Sequence, residues 1–185
     1  TYALPISGNW GNDLLLLIKA AADSGYKGRF LTTALDQPGN IAAAGDVAVG
    51  HYTVQHFFPD GNGEKSAAFA ELYRSKTGQY PYNVQGDTVN GVLALGESLK
   101  ALKGKAGDKV SVKAIALAME NVTLDSAMGT VTMRKEDHQA MTPTAVAIVS
   151  KDAKYKFDNT DKGFKTVKVV SGRDATGPVQ ASCKM

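Results

Sequence analysis

The chain has 185 residues, 43% of them hydrophobic, which suits one large domain or two small lobes with a filled core. Its formal net charge of +3 comes without a Lys/Arg cluster dense enough to mark a nucleic-acid surface, and no apolar run approaches the roughly 18–20 residues of a membrane span. The single cysteine, Cys183, excludes an internal disulfide and a Cys-based zinc site, leaving a partner elsewhere or an unpaired thiol.

The chain opens at Thr1, with neither Met nor a signal peptide, directly in the apolar segment Tyr2 to Ile6. Ser7-Gly8-Asn9-Trp10-Gly11-Asn12-Asp13 follows, then Leu14-Leu15-Leu16-Leu17-Ile18, so a strand, a tight turn and a helix are predicted. Asn12 or Asp13 can cap that helix, Leu14, Leu17, Ile18, Ala21 and Ala22 hold helical spacing, and Gly25 stops it. Arg29 to Thr33 reads as a strand entering the loop Ala34 to Asn40, and Ile41 to Ala44 as one helical turn. Gly50 to Phe58 is a β-branched and aromatic strand closed by Pro59-Asp60-Gly61-Asn62-Gly63.

Three helices are predicted next: Glu64 to Thr77 with Gly78 as cap, Val84 to Lys103, and one capped by Ser111 running to about Asn121. Lys103, Lys105, Lys109 and Lys113 surround the Gly-rich turn between the last two and read as a solvated loop. The period then changes to two. Gly129 to Met133 and Thr142 to Val149 read as strands joined by the charged turn Arg134 to His138. Tyr155 to Asp158 and Phe164 to Val170 add two more, and the tail from Ser171 reads as loose. One βαβ unit, then helices, then strands is an unusual order for a self-contained doubly wound domain, so the chain reads as the back part of a larger α/β protein.

Catalytic patterns are missing. There is no Gly-x-Ser-x-Gly elbow, Walker loop or His-Glu-x-x-His, and Gly8-Asn9-Trp10-Gly11 lacks dinucleotide-loop spacing. His51 and His56, five apart on one predicted strand, face opposite ways and cannot share a metal, while His138 lies in a remote turn. Glu136 and Asp137 read as a solvated turn rather than an acid/base dyad. The chain is therefore expected not to be an enzyme.

Two residues favour binding. Trp10 at a strand-to-helix turn offers a flat face or a cation–π contact to a ligand, and Asn9 is placed with it; the alternative is a core tryptophan. Asp36 lies at the next strand-to-loop junction of the same βαβ unit, at the sheet edge where open α/β folds bind ligands. A carboxylate buried there needs a cation, and the alternative is an ordinary turn or cap aspartate.

Ser7-Gly8-Asn9-Trp10-Gly11-Asn12-Asp13-Leu14, then Leu17-Ile18-Lys19-Ala20-Ala21, resembles the branched-chain amino acid type of periplasmic solute-binding protein. The stretch Gly129 to Gln139, with Val131, Met133, Arg134, Asp137 and His138, and the block Phe69 to Arg74 leading to Gly78-x-x-Pro81 resemble two further motifs of that family. The similarity runs over about residues 6 to 170.

The resemblance implies an α/β, type I periplasmic binding protein fold: doubly wound sheets in two lobes joined by hinge strands, with only the C-terminal portion in this chain. Residues 1–55 then end the second lobe, 56–141 return to the first, and 142–185 cross back, with crossings near His56 and Thr142. It further implies capture of an amino acid or related small polar solute by cleft closure. Delivery to the permease of an ABC importer and a periplasmic location follow, with no cofactor. Asp36 would pair with the ligand ammonium and Trp10 would cover the ligand, while a first-lobe Ser/Thr loop outside this chain would hold the carboxylate. Asp87, at a position that commonly faces the cleft, departs from the usual aromatic or basic residue and hints at a cationic ligand. Pro5 within the first strand is a second departure. The alternative is a ligand-sensing regulator or receptor domain of the same fold. Without the N-terminal half, a large apolar face would be exposed.

Overall fold

The computed structural model describes residues 4–103, 107 and 109–179; Cys183, Lys105 and the first three residues of the chain lie outside them. In chain order the elements are β1 (Ile6–Ser7), α1 (Gly11–Asp23), β2 (Leu31–Thr32), α2 (Asn40–Ala44), a 3-10 turn (Gly45–Ala48) and β3 (Tyr52–Gln55). Three helices follow, α3 (Gly63–Thr77), α4 (Asn83–Ala101) and α5 (Val112–Met119). Then come β4 (Thr123–Ser126), β5 (Gly129–Arg134), β6 (Gln139–Met141), β7 (Thr144–Ser150), β8 (Gly163–Val170) and α6 (Gly172–Ala175).

The larger sheet has the order β1-β2-β3-β7-β8. Its first three strands are parallel, with Ile6, Leu31 and Tyr52 in one register row and Ser7, Thr32 and Thr53 in the next. β7 and β8 add to it antiparallel, with a bulge between Val146 and Ala147. Pro5 stands just before β1, on the sheet edge, where its carbonyl accepts the Leu31 N–H at 2.9 Å. That position asks nothing of the N–H that proline lacks.

A second, antiparallel sheet has the order β4-β5-β6. It overturns the expected pairing after Met133: β5 turns back onto the three-residue β6, while β7 belongs to the other sheet. The missed strand β4 alternates exposed Thr123 and Asp125 with buried Leu124 and Ser126. Tyr155 to Asp158 is no strand. Tyr155 and Phe157 are buried from a loop that closes on itself through Phe157 N–H to the Lys162 carbonyl at 2.9 Å. The tail from Ser171 to 179 is not loose either, since the Ser171 hydroxyl caps α6 by accepting the Asp174 N–H at 3.2 Å.

Each sheet has its own core. Leu14, Ile18, Leu35, Ile41, Phe58, Ala147, Val149 and Phe164 fill one, and Phe57, Val122, Leu124, Met128 and Val131 fill the other. Phe57 and Phe58 are consecutive, and the two-residue period of extended chain sends their rings to opposite cores. The Asp60 carboxylate then ties the passage to β8, accepting the Thr166 N–H at 3.0 Å and the Thr166 hydroxyl at 2.6 Å.

Two glycines set close approaches. A Cβ at Gly163 would meet the Tyr155 carbonyl oxygen at 1.8 Å, so the aromatic loop can lie on β8 only because that side chain is absent. A Cβ at Gly86 would meet Met128 Cε at 2.7 Å and Phe57 Cβ at 3.0 Å, so α4 seats directly on the second core there. Elsewhere α4 and α5 expose Val92, Leu93, Leu95, Val112 and Leu117.

Candidate functional site

The three parallel strands end side by side, and the turns that leave them form one edge. After β1 the Ser7 hydroxyl donates to Asn9 Oδ1 at 2.8 Å and accepts the Asn9 N–H at 3.2 Å, shaping the Gly8–Trp10 turn. Trp10 is the extended N-cap residue of α1, a role expected of Asn12 or Asp13, and its side chain makes no capping bond. Its ring is 71% exposed, which removes the core-tryptophan reading.

After β2 the chain enters the loop that holds Asp36. This carboxyl group is only 4% exposed. It is no helix cap, because the N-cap of α2 is Gly39. Thr53 Oγ1 donates to Asp36 Oδ1 at 3.2 Å and Gln55 Nε2 donates to the same oxygen at 2.9 Å, both from β3. The Gln55 amide is itself fixed by the Thr33 carbonyl at 2.7 Å. Burial pushes the Asp36 pKa up to about 6, outweighing the two donors, and the negative charge of Asp87 adds to the rise. Among the described residues no lysine, arginine or histidine forms an ion pair with it.

After β3 the next residue is His56. Its Nδ1 lies 3.2 Å from Asp87 Oδ1 on the first turns of α4. The Asn83 side chain holds this junction: its Oδ1 accepts the N–H groups of His56 (3.1 Å) and Phe57 (3.2 Å), and its Nδ2 donates to Asp87 Oδ2 at 2.9 Å. Asn83 and Asp87 stand four apart on α4 and so share a helix face. The spacing was visible in the sequence; that both reach His56, 31 positions from Asp87, was not. Tyr82, just before Asn83, donates its hydroxyl to Asp158, which also accepts the Gly39 N–H at 2.9 Å. The Asp36 loop and the start of α4 are thereby joined through one carboxylate. Asp36, Tyr82 and Asn83 line one narrow gap between them.

Beside this junction lies a cavity of about 560 Å³ between α4, the second sheet and the segment after α6. His56, Asp87, Arg134 and Asp137 are its charged lining residues. Asp137 is not the solvated turn residue that the sequence suggested. Arg134 Nε and Nη2 donate to its two oxygens at 2.8 and 2.6 Å, and Arg134 Nη1 reaches the Gly177 carbonyl at 2.7 Å. The Gly129–Gln139 motif therefore anchors the tail, while His138 and Lys135 pair with Glu120. His51 is buried on the other side of β3, where its Nδ1 accepts the Phe30 N–H at 3.0 Å. Among the described residues no group of three or more His, Cys, Asp or Glu is arranged to hold a metal, and no helix is long and apolar enough to cross a membrane.

Residues 6–154 match the periplasmic binding protein family. The chain is 48% identical over 179 residues to Leu/Ile/Val-binding protein homolog 4 of Brucella abortus, a match covering 97% of this chain and 43% of that protein. The closed crystal structure of a leucine-, isoleucine-, valine-, threonine- and alanine-binding protein from Brucella ovis superposes with a TM-score of 0.91 at 48% identity, covering 97% of this chain and 46% of that one. A branched-chain amino acid ABC transporter ligand-binding protein from Burkholderia xenovorans shares the fold at 19% identity, with a TM-score of 0.75 over 95% of this chain and 46% of that one. The chain thus spans a little under half the length of the relatives it matches.

Proposed function

Because the chain belongs to the periplasmic binding protein family, with its type I fold, we propose that it works within a solute-binding protein that captures an amino acid or related small polar solute and hands it to the permease of an ABC importer. Binding, not catalysis, is its role, and the periplasm its location. Residues 1–55 and 142–185 form one lobe around the larger sheet, and 56–141 contribute to the other, around the second core. On this reading the groups that hold the ligand carboxylate belong to the remaining part of that first lobe, in the length of the relatives that this chain does not cover.

One observation carries this reading: a nearly fully buried carboxyl group, Asp36, with two neutral side-chain donors and, among the described residues, no cation, at the edge of a parallel sheet where open α/β folds bind ligands. Two neutral hydrogen bonds do not compensate a buried charge, whereas an ammonium does. Trp10 and Asn9 on the neighbouring turn supply a face to cover the ligand, and Asp87 borders the same region from α4.

The test is a titration of the full-length protein with neutral amino acids, following tryptophan fluorescence and thermal midpoint together. A ligand that shifts both is expected, and Asp36→Ala should abolish both responses. Undiminished responses in Asp36→Ala would retire the role given to Asp36, and no response to any amino acid would retire the amino-acid reading.

A further inference from the structure

The His56–Asp87 pair is left over once Asp36 and Trp10 have been given their roles. It is not a casual surface contact. A single side chain, Asn83, holds the His56 backbone through one end and the Asp87 carboxylate through the other, at 3.1 and 2.9 Å. The two partners are therefore fixed relative to each other, yet their side chains stay 45% and 43% exposed toward the cavity. His56 also follows directly on Gln55, the residue whose amide donates to Asp36. The ion pair and the buried carboxyl group thus sit on one short stretch of β3 and its exit, close enough that the Asp87 charge acts on Asp36.

The charges in this region add up simply. Asp36 and Asp87 bring two negative charges and a protonated His56 one positive charge. Asp87 is held 3.2 Å from His56 Nδ1, and its carboxylate favours the imidazolium. His56 and Asp87 line the cavity, Asp36 does not, and the other two charged residues that line it, Arg134 and Asp137, neutralise each other through a two-bond contact. Asp158, at the same junction, is taken up by the Tyr82 hydroxyl and the Gly39 and Ala42 N–H groups, which leaves Asp36 for a ligand cation.

We infer that His56 is a specificity-determining residue: a built-in cation that cancels Asp87, so that the cleft accepts ligands with one ammonium and a neutral side chain and turns away diamino ligands. This rests on the reading of Asp36 as the ammonium partner. It also reverses the hint of a cationic ligand that Asp87 gives when considered without its partner. A second ligand ammonium would have to compete with an imidazolium already fixed in place, and a mismatched charge in a partly desolvated site weakens binding by at least tenfold, roughly.

The experiment is calorimetric titration of the full-length protein with valine and with lysine near pH 6, as wild type, His56→Gln, Asp87→Asn and the double variant. Wild type should prefer valine. His56→Gln should shift the valine-to-lysine affinity ratio toward lysine by roughly tenfold or more, and the double variant should return it to the wild-type preference. Asp87→Asn alone, which leaves the His56 charge uncompensated, should gain affinity for glutamate relative to valine. That readout decides the matter if His56→Gln does not fold. A ratio unchanged in His56→Gln, or a wild type that binds lysine as well as valine, overturns the role of His56 while leaving amino-acid capture intact. A wild type that binds no amino acid overturns the underlying reading and this inference with it.

Discussion

Burial moves the Asp36 carboxyl group from its ordinary 3.8 to about 6, against the opposing pull of Gln55 and Thr53. Between those values the unfolded chain is ionised while the folded one keeps its proton. Folding therefore takes up a proton, and stability falls as pH rises through this window. Above pH 6 the loss levels off at about 3 kcal/mol. Asp36→Asn should accordingly raise the thermal midpoint of the ligand-free protein at pH 7.5 while leaving it nearly unchanged at pH 3.5, a comparison that two melting curves make. Ligand affinity should fall about tenfold per pH unit below 6, because the protonated acid cannot pair with an ammonium. A midpoint that drops in Asp36→Asn at pH 7.5 would mean that the carboxylate serves the fold, not the ligand. At this scale the sequence was readable where chemistry is local. A carboxylate at a strand-to-loop junction stands out on its own, but His56 does not, because its partner lies on another element.

At the scale of elements, the approach of α4 to the second core decides where Asn83 and Asp87 stand. Glycine in the middle of a helix ordinarily costs about 1 kcal/mol relative to alanine. At Gly86 that gain is outweighed, because a Cβ would press on Phe57 and Met128, and such overpacking costs about 1–3 kcal/mol. Gly86→Ala should therefore lower the thermal midpoint and weaken ligand binding together, whereas the same change at Gly91, where a Cβ meets nothing, should do neither. The helices themselves were legible from apolar spacing and from caps such as Ser111 and Gly78. The strands were less so. The two-residue period of Ala153, Tyr155 and Phe157 is a packing pattern without a ladder, since these side chains enter the core from a loop. Conversely β6, three residues long and only partly buried, leaves almost no pattern to read, and the sequence pattern therefore points past it to β7 as the partner of β5.

The whole molecule is two cores joined at Phe57 and Phe58, with the candidate site where the chain passes between them. The family was visible in outline, because the order of elements and three spaced motifs agreed on one, which the match of residues 6–154 to its model bears out. What no local pattern could reveal is how the return from α4 meets the exit of β3. On the reading proposed above, the exposed apolar faces of α4 and α5 pack against the part of the first lobe that the longer relatives possess. Closure then brings that lobe and the larger sheet together on a ligand whose ammonium meets Asp36. The most direct test is a thermodynamic cycle on the full-length protein, measuring by calorimetry the affinities of valine and of isovalerate, its analogue without the amine, for wild type and for Asp36→Asn. The account predicts that loss of the amine costs wild type about a hundredfold or more and costs Asp36→Asn far less, the coupling expected of a buried charge pair. An equal loss in both proteins would mean that the ammonium is held elsewhere and would contradict the account at its centre.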